Sequence, residues 1–419
     1  MNAEEITPEA PAIPAAALSE PMLTIEHEGR RFTLLGTAHV SRVSADKVAE
    51  LLAAGSYDAI AIELCPGRHN AIVNPDALSR MNLFEVLRKK KTVLVIANLV
   101  LGAYQQRVAK QLGTQPGAEM RAAIDGSRAQ QLPVLLIDRE IGTTLKRVYR
   151  GIGLVKRAKL LGGLLESATS KEQVTAAEIE RLKEGDMLES VFNQFAEEAR
   201  ELYVPLIDER DRYMSLRLAV ETSNNDYHNI LVVVGAGHVR GMGKYLPGYL
   251  SQQPASTRSL QAEISALDQV PPASKLPSML SWLIVVLILV GFIIGFRYSP
   301  ELGLRIVLDW ILINGGLAAL GSLIAGAHVL TILSAFVAAP LTALNPMIGV
   351  GMVTAAVEAW LRKPEIGDFT RLREDTSKLS GWWRNRVARI LLIFIGSSLG
   401  CVLGTYIAGF LIFSRLAGN

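Results

Sequence analysis

Four short apolar runs within the first 242 residues each end on a residue that can do chemistry: TLLGTAHVS, IAIELCPGR, VLLIDRE and VVVGAGHVRGM. If they are parallel strands of one sheet, His39, Glu63, Asp138 and His238 all emerge at its carboxyl edge, where open α/β sheets build their sites. Two imidazoles and a carboxylate would then lie within reach of one divalent metal or one substrate.

The two histidines occupy related settings, Gly36-Thr37-Ala38-His39 and Gly235-Ala236-Gly237-His238. Glycine permits a tight turn and a close backbone approach, so each imidazole is expected at the mouth of the sheet. The competing reading is that each histidine caps a helix or bonds within its loop. Glu63 could complete a metal site or act as general base on a bound water. Its alternative is an ion pair with Arg68, a residue that could also steady a developing negative charge. Asp138-Arg139 and Glu209-Arg210-Asp211 are expected to orient the histidines and Glu63, as groups behind metal ligands commonly do. Plain structural salt bridges are the other possibility. His69 reads as a surface residue. No glycine-rich phosphate loop, nucleophile elbow or zinc-type cysteine cluster occurs.

The elements that must hold these residues follow from pattern. A hairpin turning at Glu28-Gly29 runs into Gly36, and a helix opened by Ser41 or Ser44 follows. Strands are expected at Ala59 to Leu64, Pro133 to Ile137 and Ile230 to Val234, with a last helix from Val239 to Leu250. Helical patterns intervene, including an insertion or cap over 141–220. The run from Val93 to Tyr104 suits a buried helix or strand. Strands alternating with helices predict an α/β domain over 21–250 with a mostly parallel sheet.

The chain has 419 residues and a net charge of +3, with basic and acidic residues interleaved, which argues against a nucleic-acid surface. Cys65 and Cys401 fall in different expected domains, so a disulfide between them is not expected. Residues 1–20 read as a flexible tail and not as a secretory signal, since no basic segment precedes an apolar core. Residues 251–278 form a proline-rich linker, with a short helix at Ser259 to Leu267. From 279 to 419 the chain reads as an α-helical multipass transmembrane domain. Spans are expected at Met279 to Phe296, Arg305 to Ala327 and Val387 to Phe413. Pro340 and Pro346 interrupt the apolar segment between them, which predicts a broken or re-entrant hairpin or two short packed spans.

Among ionisable groups in this part, Asp309 and Glu358 are expected to pair with Arg305 and Arg362, while His328 and Asn345 near the proline break are the candidates for activity. The loop from Leu361 to Arg386 carries seven basic residues against four acidic ones, which places it in the cytoplasm. With the α/β domain on the same side, an even number of crossings must separate them.

The GTAHVS, Glu63-Leu64-Cys65 to Arg68, LIDRE, ERD and GAGHVRGM elements, with APLTALNP and the segment from Glu358 to Asp368, make the chain resemble the TraB family. That family includes pheromone-shutdown proteins of the PrgY type, and TIKI and GumN proteins are more distantly similar. The resemblance covers nearly the whole chain and implies a domain like the erythromycin esterase and haem-binding ChaN folds. In TIKI-like members two Gly-x-x-His motifs and a glutamate are associated with divalent-metal-dependent peptide cleavage. Those positions correspond to His39, His238 and Glu63, with manganese, cobalt or zinc as the metal. TIKI proteins carry a secretory signal and a single anchor, features this chain departs from. The expectation is a metal-dependent peptidase of the inner or cytoplasmic membrane that acts on peptides such as signalling pheromones, its α/β domain in the cytoplasm and with a homo-oligomer as one arrangement. The alternatives are a module that sequesters a peptide, haem or small ligand without turnover, and a transporter regulated by the α/β domain.

Overall fold

The computed structural model describes residues 20–37, 42–74, 115, 117–153, 199–252, 257–272, 276–345 and 348–418, with single positions at 95, 99, 102, 106 and 156. The chain divides into two compact units. One comprises Met1–Val73 with Gln105–Pro271, the other Asn74–Tyr104 with Pro272–Asn419.

In the first unit, β1 (Met22–His27) and β2 (Arg30–Thr37) form the expected hairpin. Both central turn residues have positive φ, Glu28 at 47° and Gly29 at 77°. That geometry matches the right-handed twist of the flanking strands. The chain continues through α1 (Arg42–Ala54), β3 (Ala59–Ile62), α2 (Pro66–Val73), α3 (Ala118–Gln130), β4 (Val134–Leu136) and α4 (Ile141–Gly151). After a short helix at Arg200–Tyr203 and a π-helical turn at Val204–Asp208 come α5 (Glu209–Ser223), β5 (Asn229–Gly235), α6 (Ala236–Leu250) and α7 (Thr257–Asp268).

The five strands lie in the order β1-β2-β5-β3-β4. The hairpin is antiparallel and the other three pairings are parallel, so the sheet is mixed. Its two faces are read directly from the pleat, because side chains alternate along a strand. Phe32, Leu34, Ala59, Ala61, Ile230, Val232 and Val234 pack with Met214 and Leu218 of α5 and Met242 and Leu246 of α6. Leu35, Ile60, Ile62, Leu231 and Val233 pack instead with Val48 and Leu52 of α1 and Met120 and Ile124 of α3. Helix α5 is therefore part of the core, although its sequence falls within the region expected to form an insertion over 141–220. Much of that region lies outside the described residues, as do residues 1–19 of the expected tail, while Glu20 is buried and accepts from Ser44 Oγ at 2.6 Å.

The second unit contains α8 (Leu276–Tyr298), α9 (Pro300–Ile324), α10 (Val329–Ala343), α11 (Val350–Leu361) and α12 (Arg386–Leu416). Three of these, α8, α9 and α12, are long and apolar enough to cross a membrane. Helix α9 starts five residues before the expected span because Ser299 caps it, accepting from the Leu302 N–H at 3.0 Å, and Pro300 occupies its first turn. Asn385 caps α12 in the same way, taking the Val387 and Ala388 N–H groups. The apolar stretch between the long helices forms α10 and α11, of 15 and 12 residues. At about 1.5 Å per residue both are shorter than the roughly 30 Å hydrocarbon core. Pro346 lies outside the described residues. Most of the run from Val93 to Tyr104 lies outside the described residues; Leu99 is buried against Ala355, Phe369 and Val387.

Helices α9 and α12 run antiparallel with their backbones in contact. A Cβ at Gly321 would stand 2.1 Å from the Gly396 carbonyl oxygen, one at Gly400 2.1 Å from that of Leu317, and one at Gly404 2.9 Å from the Asn314 Cα. Small residues at such a seam let helices approach closely. Gly400→Leu is expected to cost about 3 kcal/mol, whereas Gly409→Leu, where a Cβ meets nothing within 4 Å, should be nearly neutral. Unfolding midpoints in mixed detergent micelles check the contrast.

Candidate functional site

The carboxyl ends of β3, β4 and β5 converge because parallel strands point the same way, and β5 lies between β2 and β3. Three of the four residues expected there are described and do meet: Glu63 follows β3, Asp138 follows β4, and His238 sits in the first turn of α6 after β5. All three are buried. The fourth, His39, lies outside the described residues.

What gathers them is Arg210, in the first turn of α5. Its Nε donates to Asp138 Oδ1 at 3.0 Å and its Nη2 to Asp138 Oδ2 at 2.9 Å. The same Nη2 donates to Glu63 Oε1. Its Nη1 lies 3.1 Å from His238 Nε2 and bonds the Leu206 carbonyl at 3.4 Å. Burial works against the charge of this guanidinium, but Asp138 and Glu63 more than restore it, so its pKa stands above the ordinary value.

Each acidic group is fixed a second time. Glu63 Oε2 accepts the Gly235 N–H at 2.6 Å, which ties β3 to the start of α6. Asp211 Oδ1 stands 2.5 Å from His238 Nδ1 and sets the orientation of the ring. His238 Nε2 is 3.4 Å from Glu63 Oε1. Arg68 reaches Asp138 at 3.7 Å. The ion pair of Glu63 is thus made with Arg210, from a helix distant in sequence, while Arg68 binds its neighbour.

The expectations for the other charged residues divide. Arg210 and Asp211 touch the histidine, Arg210 also touches Glu63, and Asp138 is joined to them through Arg210. Arg139 and Glu209 touch neither: the Arg139 guanidinium, wholly buried, donates to Thr144 Oγ1 at 3.0 Å, Glu209 at 2.9 Å, and the carbonyls of Leu267 and Pro205 at 3.0 Å each. Glu209 also holds Arg147 through two bonds of 2.6 Å. Consecutive helix residues project about 100° apart, so the three members of Glu209-Arg210-Asp211 face different partners. The π turn at Val204–Asp208 immediately precedes them and sets that rotation. Nothing in the local sequence announces it.

None of Gly36, Gly235 and Gly237 has positive φ, and Gly36 serves close approach. A Cβ at Gly36 would stand 2.7 Å from Val239 Cγ2 and 2.9 Å from the Ala236 Cα. Gly241 was not singled out from sequence, yet a Cβ there would stand 1.9 Å from Asp211 Oδ2. It leaves the room in which Asp211 reaches His238. Gly237 is part of α6.

Could these residues hold a divalent ion? His238 Nε2 and Glu63 Oε1 face each other, and a carboxylate behind the imidazole is the usual support of a metal ligand. The Arg210 guanidinium, however, lies against both atoms and fills the place an ion would need. Among the described residues no group of three or more histidines, cysteines or carboxylates is arranged to hold a metal. In this conformation the described residues do not fit one.

In the second unit the expected partner of Asp309 is corrected. It pairs with Arg415 near the end of α12 at 2.8 Å, because the antiparallel seam brings those residues level. Glu358 is buried and accepts from Thr331 Oγ1 at 2.6 Å, the His328 N–H at 2.9 Å and Arg362 Nη1 at 3.0 Å. His328 caps α10, its Nδ1 accepting from Leu330 N–H at 3.2 Å. Asn345 lies beyond the other end of that helix, so the two are not brought together.

Burial opposes the charging of His238, but Glu63 and Asp211 overcome it and raise its pKa from 6.5 to about 9. Asp211 is itself pushed up by burial, which its bond to His238 and the nearby Arg210 charge partly offset. A raised folded-state pKa gives stabilisation that is complete below 6.5 and lost as pH climbs through 9. Its size is on the order of 3 kcal/mol. Thermal unfolding followed across that interval should fall in the wild type and stay flat in His238→Gln.

Comparison with known proteins agrees with the two-unit division of motifs. Residues 21–253 match the TraB/PrgY/gumN family, and residues 276–417 match the TraB family protein C-terminal domain. An uncharacterized protein of Methanocaldococcus jannaschii is 31% identical over 378 residues, covering 89% of this chain and 92% of that protein. TraB domain-containing proteins of Bos taurus and Homo sapiens are 27% and 26% identical over 244 residues, 52% of this chain and 63% and 64% of theirs. The chain belongs to the TraB/PrgY/gumN family.

Proposed function

We propose that this chain is a multipass membrane protein whose first unit hydrolyses a peptide at the carboxyl edge of its sheet. The observation that carries the reading is the set of contacts around His238: Asp211 at 2.5 Å on one ring nitrogen and Glu63 at 3.4 Å from the other. A buried acid and a buried base held this close are the groups that proton transfer in hydrolysis requires, and the proton affinity of His238 is raised. In this reading Glu63 takes the proton of the attacking water and His238, oriented by Asp211, gives one to the leaving amine. Arg210 holds Glu63 and Asp138 in place, and Arg68, half-exposed, faces the charge that develops on the substrate.

Glu63→Gln and His238→Gln should each lower turnover by about 10²–10⁴-fold while leaving peptide binding near the wild-type level. Mass spectrometry of products, set beside binding isotherms, measures the split. Turnover abolished by a chelator and restored by manganese, cobalt or zinc would overturn this side-chain mechanism. Turnover indifferent to chelation would leave the chemistry to the side chains named here.

Sequestration without turnover is the second reading, and a specific observation favours it: the Arg210 donors are all engaged within the protein, as in a rigid scaffold. Peptide bound by the wild type and recovered intact would decide for it.

Membrane insertion is supported by the three apolar helices α8, α9 and α12. The basic loop from Leu361 to Arg386 favours the cytoplasmic face for that loop and for the first unit. A protease site inserted after Ser377 should be cut only from that side in oriented vesicles.

A further inference from the structure

Among the described residues, strand β4 is the edge of the sheet, and one of its sides has no strand beside it. Ile60 N–H donates to the Pro133 carbonyl at 3.0 Å and Ile137 N–H to the Ile62 carbonyl at 3.2 Å. Residues 133, 135 and 137 therefore face β3, and Val134 and Leu136 turn their N–H and C=O groups outward. An open edge of this kind is a template for another strand unless something covers it.

Beside that edge lies a cleft of about 520 Å³. Its floor is β4 and its wall is one face of α5, where Tyr213, Arg217 and Glu221 recur at helical spacing. Four carboxylates line it, those of Asp138, Glu140, Glu221 and Asp268, against the single guanidinium of Arg217. Arg217 is spent on Glu221 at 2.8 Å, and Asp138 is bound by Arg210. Glu140 takes only the Gly67 N–H at 3.4 Å and Asp268 the Tyr213 hydroxyl at 3.3 Å among the described residues, so neither meets a basic side chain there. The cleft has surplus negative charge, and Asp138 belongs both to it and to the Arg210 cluster.

We propose that this cleft docks the peptide on which the site acts, taking an extended, lysine- or arginine-rich segment as an added strand on Val134 and Leu136. The inference rests on the peptide reading above and gives it a substrate class. Main-chain bonds to the edge would supply affinity for any sequence, and the carboxylates would select cationic side chains at alternate positions. A segment paired to β4 is led toward Asp138, and so toward Glu63 and His238.

The test uses the full chain in nanodiscs and two labelled short peptides, one alternating valine with lysine and the other valine with glutamate. Binding is read by fluorescence anisotropy and cleavage separately by mass spectrometry. The lysine peptide should bind at least about tenfold more tightly than the glutamate peptide, and less so as salt is raised. Leu136→Pro removes an outward N–H while sparing the bonds to β3, and should weaken binding of the lysine peptide about tenfold. If that variant does not fold, the double variant Glu140→Gln, Asp268→Asn carries the test by erasing the preference for lysine. Equal affinity for the two peptides, no binding of either, or indifference to these substitutions would overturn the cleft. Edge-dependent binding without products would uphold the cleft and refute hydrolysis. Cleavage that ignores both edge and charge would do the reverse.

Discussion

Carboxylates can be buried side by side only if cations are buried with them, and in the first unit that duty falls on Arg210. Its guanidinium joins the ends of β3 and β4 to the first turn of α6 through Glu63, Asp138 and His238. Because each of those residues comes from a different element, the contact is at once an electrostatic balance and a clamp on the geometry of the sheet edge. Removing one partner from such a network strands the others without solvent, which makes its members interdependent.

The clamp is itself held by a second layer. Arg139 follows Asp138 directly but turns the other way, into Glu209 and the carbonyls of Pro205 and Leu267. Those contacts fix the π turn and the start of α5, and with them the rotation that sends Arg210 and Asp211 toward His238. Gly241 completes the arrangement by leaving space for Asp211. The residues that look alike in sequence, two adjacent charged clusters, therefore divide into one set that meets the histidine and one that secures the helix.

The helical unit follows a different logic. With apolar side chains all round its long helices, burial of apolar surface says little about which faces meet. The glycines along the α9–α12 seam and the few polar contacts, such as Glu358 with Thr331 and Asp309 with Arg415, supply that specificity.

Much of this architecture is legible in the chain. The hairpin at Glu28-Gly29, the strands that end at Thr37, Ile62 and Gly235, and the three long apolar helices are local patterns of alternation, turn chemistry and length, and physics at that range acts between near neighbours. Parallel strand direction alone was enough to bring Glu63, Asp138 and His238 to one edge. Tertiary structure decided what no local pattern encodes: that Arg210 and not Arg68 pairs with Glu63, that Arg139 and Glu209 face away from the histidine, that Arg415 meets Asp309, and that β4 is the outermost strand among the described residues, with carboxylates beside it. Each depends on a helix rotation or a strand order set by packing between segments up to about 150 residues apart, and the charge on a residue does not say which way its helix will be turned.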